Sequence, residues 1–291
     1  MKRALYTIAD EEFATLLERT HTAFEKAGIP YMFVGGVATQ AHIIDYLCRD
    51  GKTLADYVED PNFRIQDHLR ATDDVDITLD SGKKAEERTE EDKIEFGNRI
   101  YAVLDDIAGK TDKGNYSCPD FTCMSPSDDH IVGVSLERKG LSRPIFWLGL
   151  DQCPTAQTAV SFNLYKGPED TNERWPQEIR EFEKRFYHAF MQRASTVEIP
   201  YHKNKKLVLK VKKPEDLMAT KIIRGREKDF TDLLLLARHS ENAGIPIDYQ
   251  EIKNILCSED PVYNVPNPIF VEKYEQFRDI LKRWKESGSG Q

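Results

Sequence analysis

A chain of 291 residues with 41 basic and 50 acidic side chains carries a formal net charge of −9, so it has no global attraction for phosphate backbones. Its 40% hydrophobic and 31% charged content, with 16 Gly and 14 Pro, excludes collagen-like, mucin-like and wholly disordered chains. No apolar run approaches the ~18–20 residues of a membrane span. Asp10-Glu11-Glu12 also stand where a signal peptide would need an apolar stretch, so the expected setting is the cytoplasm, away from any membrane.

In chain order, Asp10 is a plausible N-cap for a helix carrying Phe13, Leu16, Leu17, Phe24 and Ala27 at helical spacing, stopped by Gly28-Ile29-Pro30. Tyr31-Met32-Phe33-Val34 reads as a buried strand ending at Gly35-Gly36, with a helix over Val37 to about Cys48. The polar stretch from Arg49 to Arg70 holds at most one helix, near Thr53 to Val58. Asp74 to Leu79 alternates strictly, with Val75, Ile77 and Leu79 on one face and Asp74, Asp76 and Thr78 on the other, as a strand does. A helix to about Ala108 follows, then strands at His130–Glu137, Arg143–Leu150 and Thr158–Tyr165. An amphipathic helix over Trp175–Met191 carries Ile179, Phe182, Phe186 and Phe190. Strands at Val197–Tyr201 and Leu207–Val211 precede four helices at about 214–224, 227–239, 248–257 and 268–285, the last with Phe270, Tyr274, Phe277, Leu281 and Trp284 as its buried stripe. Pro214 suits a first helical position, and Asp248 with Glu251 suit a capping box. The expected architecture is α+β: a mixed sheet flanked by helices over 1–211, then a helical domain over 212–291.

Two carboxylates at i and i+2 on one strand face, Asp74 and Asp76, repel each other unless water or a cation stands between them. Such a hard oxygen pair suits Mg²⁺, which takes one or two carboxylates plus substrate phosphates; alone, it is equally an exposed face opposite a core face. Gly35-Gly36 between a strand and a helix lets backbone N–H groups approach a phosphate, or makes an ordinary tight turn. Together the two features supply a triphosphate cradle and its metal. Lys221, a single cation among Leu217, Met218, Ile222 and Ile223, must aim its ammonium at an anion or at water. Asp229 and Asp232 could simply be charges favoured near a helix N-terminus. Basic stretches at Lys203–Lys213 and Lys221–Lys228 are the candidate local patches for nucleic acid. The five cysteines (48, 118, 123, 153, 257) lack a Cys-x-x-Cys pair and read as reduced thiols.

Phe33-Val34-Gly35-Gly36 with Ala38 and His42, followed by Arg70-Ala71-Thr72-Asp73-Asp74-Val75-Asp76, resembles the Gly-Gly/Ser and Asp-x-Asp motifs of the polymerase-β-like nucleotidyltransferase superfamily. Pro214 to Lys221 and Arg226 to Leu233 resemble the Asp-Leu-x-x-x-Lys and Lys-Asp-x-x-Asp-Leu motifs of AbiEii/AbiGii-type nucleotidyltransferases, the toxins of abortive-infection and type IV toxin–antitoxin systems. The resemblance implies that Gly35 and Gly36 hold nucleotide phosphates and that Asp74 and Asp76 bind two Mg²⁺ ions. It also implies that Lys221 contacts the triphosphate of an NTP and that Asp229 orders the site. It points to RNA, the tRNA 3′ end in particular, as acceptor, and to a cognate antitoxin as partner. The stretch from Arg49 to His68 is an insertion relative to the family, expected near the mouth of the site. Where the superfamily has a third carboxylate this chain offers Asn163, with Asp151 and Glu198 as alternatives. The acidic charge balance argues against a large RNA footprint and keeps a small-molecule (antibiotic-type) nucleotidyltransferase in view, and the missing carboxylate keeps a catalytically silent nucleotide-binding protein in view.

Overall fold

A computed structural model describes residues 6–72, 75–83, 87, 89–109, 116–117, 122–124, 131–138, 144–149, 159–160, 182, 185–186, 189–258 and 267–287. Helix α1 (Glu11–Ala27) starts where Asp10 accepts hydrogen bonds from the Glu12 and Phe13 amides, and it ends at Gly28 in the left-handed region (φ 61°). Strand β1 (Tyr31–Phe33) is buried at all three residues, so the sheet is covered on both faces at its centre. It pairs antiparallel with β2 (Ile77–Leu79) and parallel with β9 (Lys205–Val211). Further out, β2 pairs with β7 (Ala159–Val160) and β9 with β8 (Ser195–His202), giving the mixed order β7-β2-β1-β9-β8. Strands β3 (Tyr116–Ser117), β4 (Thr122–Met124) and β6 (Pro144–Gly149) all pair with β5 (Ile131–Arg138) in a second, antiparallel sheet. The expected α+β class, a mixed sheet flanked by helices, is the one observed.

Helix α2 begins at Gly35 and runs to Leu47, two residues earlier than its apolar pattern suggests, so the glycine pair forms its first turn. It is buried nearly all round, including the polar side chains of Thr39, Gln40 and His42. Gln40 satisfies three backbone groups: its carbonyl accepts from the Ile8 amide at 2.7 Å, and its amide donates to Tyr6 O (3.3 Å) and Arg70 O (3.0 Å). His42 donates through Nε2 to Lys212 O at 2.8 Å, which ties α2 to the end of β9 and gives this histidine a structural role.

The stretch from Arg49 to His68 contains α3 (Leu54–Glu59), capped reciprocally by Thr53 and Asp56. The Phe63 ring stacks on His68 at 4.3 Å. Helix α4 (Glu90–Gly109) packs on α1 and β5. After β9 come α5 (Pro214–Arg224), α6 (Glu227–Asn242), α7 (Tyr249–Leu256) and α8 (Pro268–Glu286), each within three residues of its expected bounds. Phe270, Tyr274, Phe277 and Leu281 form the expected stripe of α8, with Trp284 only partly buried at its end, and Phe182 meets Phe270 edge-on at 5.4 Å. The capping box at 248–251 is only half made: Asp248 accepts from the Glu251 amide, while the Glu251 carboxylate takes Arg193 and Lys213. None of the described helices is long and apolar enough to cross a membrane.

The 49–68 stretch docks on α6 two turns beyond Asp232. Arg238 donates to Asp67 O at 2.9 Å, and His68 Nδ1 lies 3.3 Å from His239 Nε2, which also faces Arg238. Burial and then the Arg238 charge push His239 down to about 3, and burial also lowers His21, His42 and His68. The unfolded chain therefore takes up protons near pH 6.5 that the folded one refuses. Stability is complete above that value and falls as pH drops through it, at up to about 1.4 kcal/mol per pH unit for His239. Asp216, raised to about 6 by burial, works the other way between its ordinary carboxylate range and pH 6, but it is one group against several. The urea midpoint is expected to be clearly lower at pH 5.5 than at pH 7.5, and His239→Gln should flatten the difference. Equal midpoints at the two pH values would contradict the buried neutral imidazoles.

Candidate active site

The end of β1, the start of α2, residues 70–76, the end of α5 and the start of α6 meet at one place. The Asp76 carbonyl accepts from Val34 N at 2.8 Å, continuing the β1–β2 ladder one residue further. Its side chain turns toward Gly35. That glycine has φ 59°, and a Cβ there would overlap Asp76 Oδ2 and lie 3.1 Å from Asp76 Cγ. Position 35 thus excludes a side chain on conformation and on space together. A Cβ at Gly36 would stand 2.9 Å from Thr72 Oγ1 and 3.6 Å from Arg70 Nη2. The first turn of α2 is therefore ringed by a partly exposed carboxylate, a buried hydroxyl and a guanidinium.

Arg70 grips Asp232 with both arms, Nε to Oδ1 and Nη2 to Oδ2, each at 2.9 Å. Lys221 donates to the same Oδ2 at 2.6 Å and lies 3.8 Å from Asp229 Oδ1. Asp229 in turn accepts from Arg226 Nε at 2.7 Å and from the Arg226 amide at 3.3 Å, which closes the N-terminus of α6. Lys221, Asp229 and Asp232 are each no more than 3% exposed, whereas the Arg226 side chain is 45% exposed. Burial lowers the Lys221 ammonium from its ordinary value against the opposing pull of Asp232 and Asp229. For Asp229, burial is outweighed by the Arg226 hydrogen bond and the Lys221 charge, and its carboxyl sits below the usual range. Arg226 is held above its ordinary value: the Asp229 hydrogen bond and charge, with Asp76 adding to them, outweigh its burial.

Of the sequence candidates, the structure brings Gly35, Gly36 and Asp76 together, and joins Lys221 to Asp229 and Asp232. Asp229 and Asp232 are buried ion-pair partners of Lys221, and Asp229 also stands in the first turn of α6, where the helix dipole favours its charge. Asp74 lies outside the described residues, as do Asn163 and Asp151. Glu198 sits on β8, three strands from β2 in the sheet order, and its exposed carboxylate pairs with Lys206 at 2.8 Å. Among the described residues no group of three His, Cys, Asp or Glu side chains could hold a metal ion. Sequence reasoning gave no role to Gln40, Arg70 or Thr72. A glutamine in the apolar run Val37 to Ile44 was the available signal, because a polar group buried there must find partners.

The residues thus define an α+β protein with a glycine-opened helix facing an aspartate, backed by an Arg–Asp–Lys–Asp–Arg chain whose Asp–Lys–Asp middle is buried. Among solved structures the chain is similar to an antigenic nucleotidyltransferase-like protein from Paracoccidioides brasiliensis, at 16% identity and a TM-score of 0.38, covering 99% of this chain and 94% of that one. No protein-family model and no curated protein matches the chain.

Proposed function

We propose that this chain is a Mg²⁺-dependent nucleotidyltransferase that moves a nucleoside monophosphate from an NTP to a hydroxyl acceptor. The observation that supports this most is the seating of the Asp76 carboxylate against Gly35 at the first turn of α2. It sets a hard oxygen donor beside backbone amides that favour phosphate. The donor set fits Mg²⁺, which keeps several waters and takes one or two carboxylates; Asp76 and, two residues earlier, Asp74 would hold it. When bound, the ion supplies charge neutralisation at the triphosphate and lowers the pKa of the attacking hydroxyl.

The chain's own residues do the positioning. The amides of the Gly35-Gly36 turn receive phosphate oxygens, and the absence of side chains there lets the backbone approach. Lys221 would meet the triphosphate by exchanging its longer contact, with Asp229, for a phosphate oxygen. Asp229 holds Arg226 across the start of α6. In the transfer the acceptor oxygen forms a bond to the α-phosphorus, the α–β bridging P–O bond breaks, pyrophosphate leaves, and the hydroxyl proton passes to solvent.

The motif resemblance to AbiEii/AbiGii toxins favours RNA as acceptor, with the tRNA 3′ end first, a cognate antitoxin as partner and a role in abortive infection. A small-molecule acceptor is favoured by a different observation: Lys205, Lys206 and Lys213 of the basic stretch are engaged in ion pairs, and Lys212 is buried. The deciding experiment incubates the protein with Mg²⁺, each α-labelled NTP in turn, and total RNA. Label is expected on RNA. Label on a small molecule alone would select the second acceptor class. Binding of Mg²⁺–NTP with no transfer to either would replace the enzyme by a silent nucleotide-binding protein.

A further inference from the structure

We infer that Arg70 is a positioning residue of this site, fixing the helix pair α5–α6 against the nucleotide cradle through Asp232; this rests on the nucleotidyltransferase function proposed above. Three observations carry it. The Arg70 backbone is anchored, because its carbonyl accepts from Gln40 at 3.0 Å and Thr72 pairs with Tyr6 two residues on. Its guanidinium is anchored as well, by the two-armed bond to Asp232 and by donation to Ala71 O at 3.3 Å. Finally, Nη2 lies beside the first turn of α2, 3.6 Å from where a Cβ of Gly36 would stand. One side chain therefore touches the cradle on one side and α6 on the other.

Asp232 Oδ2 is the shared atom. It accepts from Arg70 Nη2 and from Lys221 Nζ at once, so the position of the Arg70 fork sets where the Lys221 ammonium is held. A planar guanidinium fixes a carboxylate in orientation as well as in position, which a lysine ammonium does not. Without the fork, Asp232 is free to rotate and Lys221 moves with it. The rest of the site keeps its residues but loses its register.

The test uses the full chain. Arg70→Lys keeps the charge and loses the fork, and Asp232→Asn breaks the same contact from the other side with little change of shape. Each is expected to lower kcat by about tenfold or more, with KM for Mg²⁺–NTP changed by less than about threefold, because misplacement of a charge acts mainly in the transition state. The double variant should be no slower than the slower single, since both changes remove one coupled unit. Should one variant fail to fold, the other reads the same contact. Full kcat in Arg70→Lys well below its melting temperature, in a protein whose wild type is active, overturns the inference alone. Additive losses in the double variant also overturn it. Absence of transfer by the wild type overturns the proposed activity, and the inference with it.

Discussion

Asp76→Asn is expected to remove nucleotide transfer while leaving the fold in place, and Gly35→Ala to come close to it without touching a charged residue. The first change removes the carboxylate that stands against the opening turn of α2 and leaves there only the Thr72 hydroxyl and the Arg70 guanidinium among the groups named above. The second works through space. An alanine at φ 59° costs about 1–2 kcal/mol for its left-handed backbone, and its Cβ would occupy the position of Asp76 Oδ2. Either the carboxylate swings away or the β1–α2 turn shifts, and a displacement of about 1 Å can cost ~10²-fold in rate. Gly28→Ala is the matched control. Gly28 has nearly the same φ, 61°, with nothing within 4 Å of an added Cβ, so it reports the backbone strain alone. Both alanine variants should lose a similar part of their melting temperature from strain, with only Gly35→Ala losing turnover. If Asp76→Asn keeps more than about a tenth of the activity, or Gly35→Ala behaves as Gly28→Ala does, Asp76 is not the metal-holding group.

Lys221→Met is expected to be the most destabilising single change in the site. The ammonium is buried between Asp232 and Asp229, and removing one partner from a buried ion cluster costs about 3–5 kcal/mol because the remaining charges stay unpaired in a poor solvent. At about 2–4 °C per kcal/mol, that amounts to a drop of roughly 6–20 °C. Here Arg70 still serves Asp232 and Arg226 still serves Asp229, which places the expected loss at the lower end of the range. Adding Asp232→Leu should recover part of the loss: an apolar pair replaces an ion pair at little cost, and Arg70, 27% exposed, can turn to water. Differential scanning calorimetry of the two single variants and the double variant decides this. A melting temperature within about 2 °C of wild type for Lys221→Met would mean that the ammonium is not held by these carboxylates.

The elements whose signals are local were readable in advance. The Asp10 cap, the Pro214 start of α5, the α8 stripe from Phe270 to Leu281 and the alternation of Val75, Ile77 and Leu79 each depend on residues a few positions apart. The site was readable only by half. Gly35, Gly36, Asp76 and Lys221 carry residue types that stand out against their surroundings, but their partners lie far along the chain. Arg70 meets Asp232 across 162 positions, and His68 meets His239 across 171. No periodicity encodes such pairs. The two carboxylates that hold Lys221 were hidden for the same reason: burial and partners are tertiary facts. The start of α2 moved to Gly35 because two glycines argue against a helix by propensity, while the packing of Asp76 and Thr72 against them fixes the turn.

Strand β1 has one more consequence, for how the molecule comes into being. Its two neighbours arrive at very different times: β2, whose partners to Phe33 and Tyr31 are Ile77 and Leu79, comes early, and β9 only when Val211 can reach Phe33. A parallel pairing over that separation must close a very large loop before any contact offsets the lost chain entropy, so it forms slowly. Until then Tyr31, Met32 and Phe33 present an open, apolar strand edge, the kind of surface on which chains associate. A ribosome-bound or truncated chain that stops before Lys205 would hold the glycine turn and Asp76 yet lack the strand that shelters them. Such a fragment should collect in inclusion bodies.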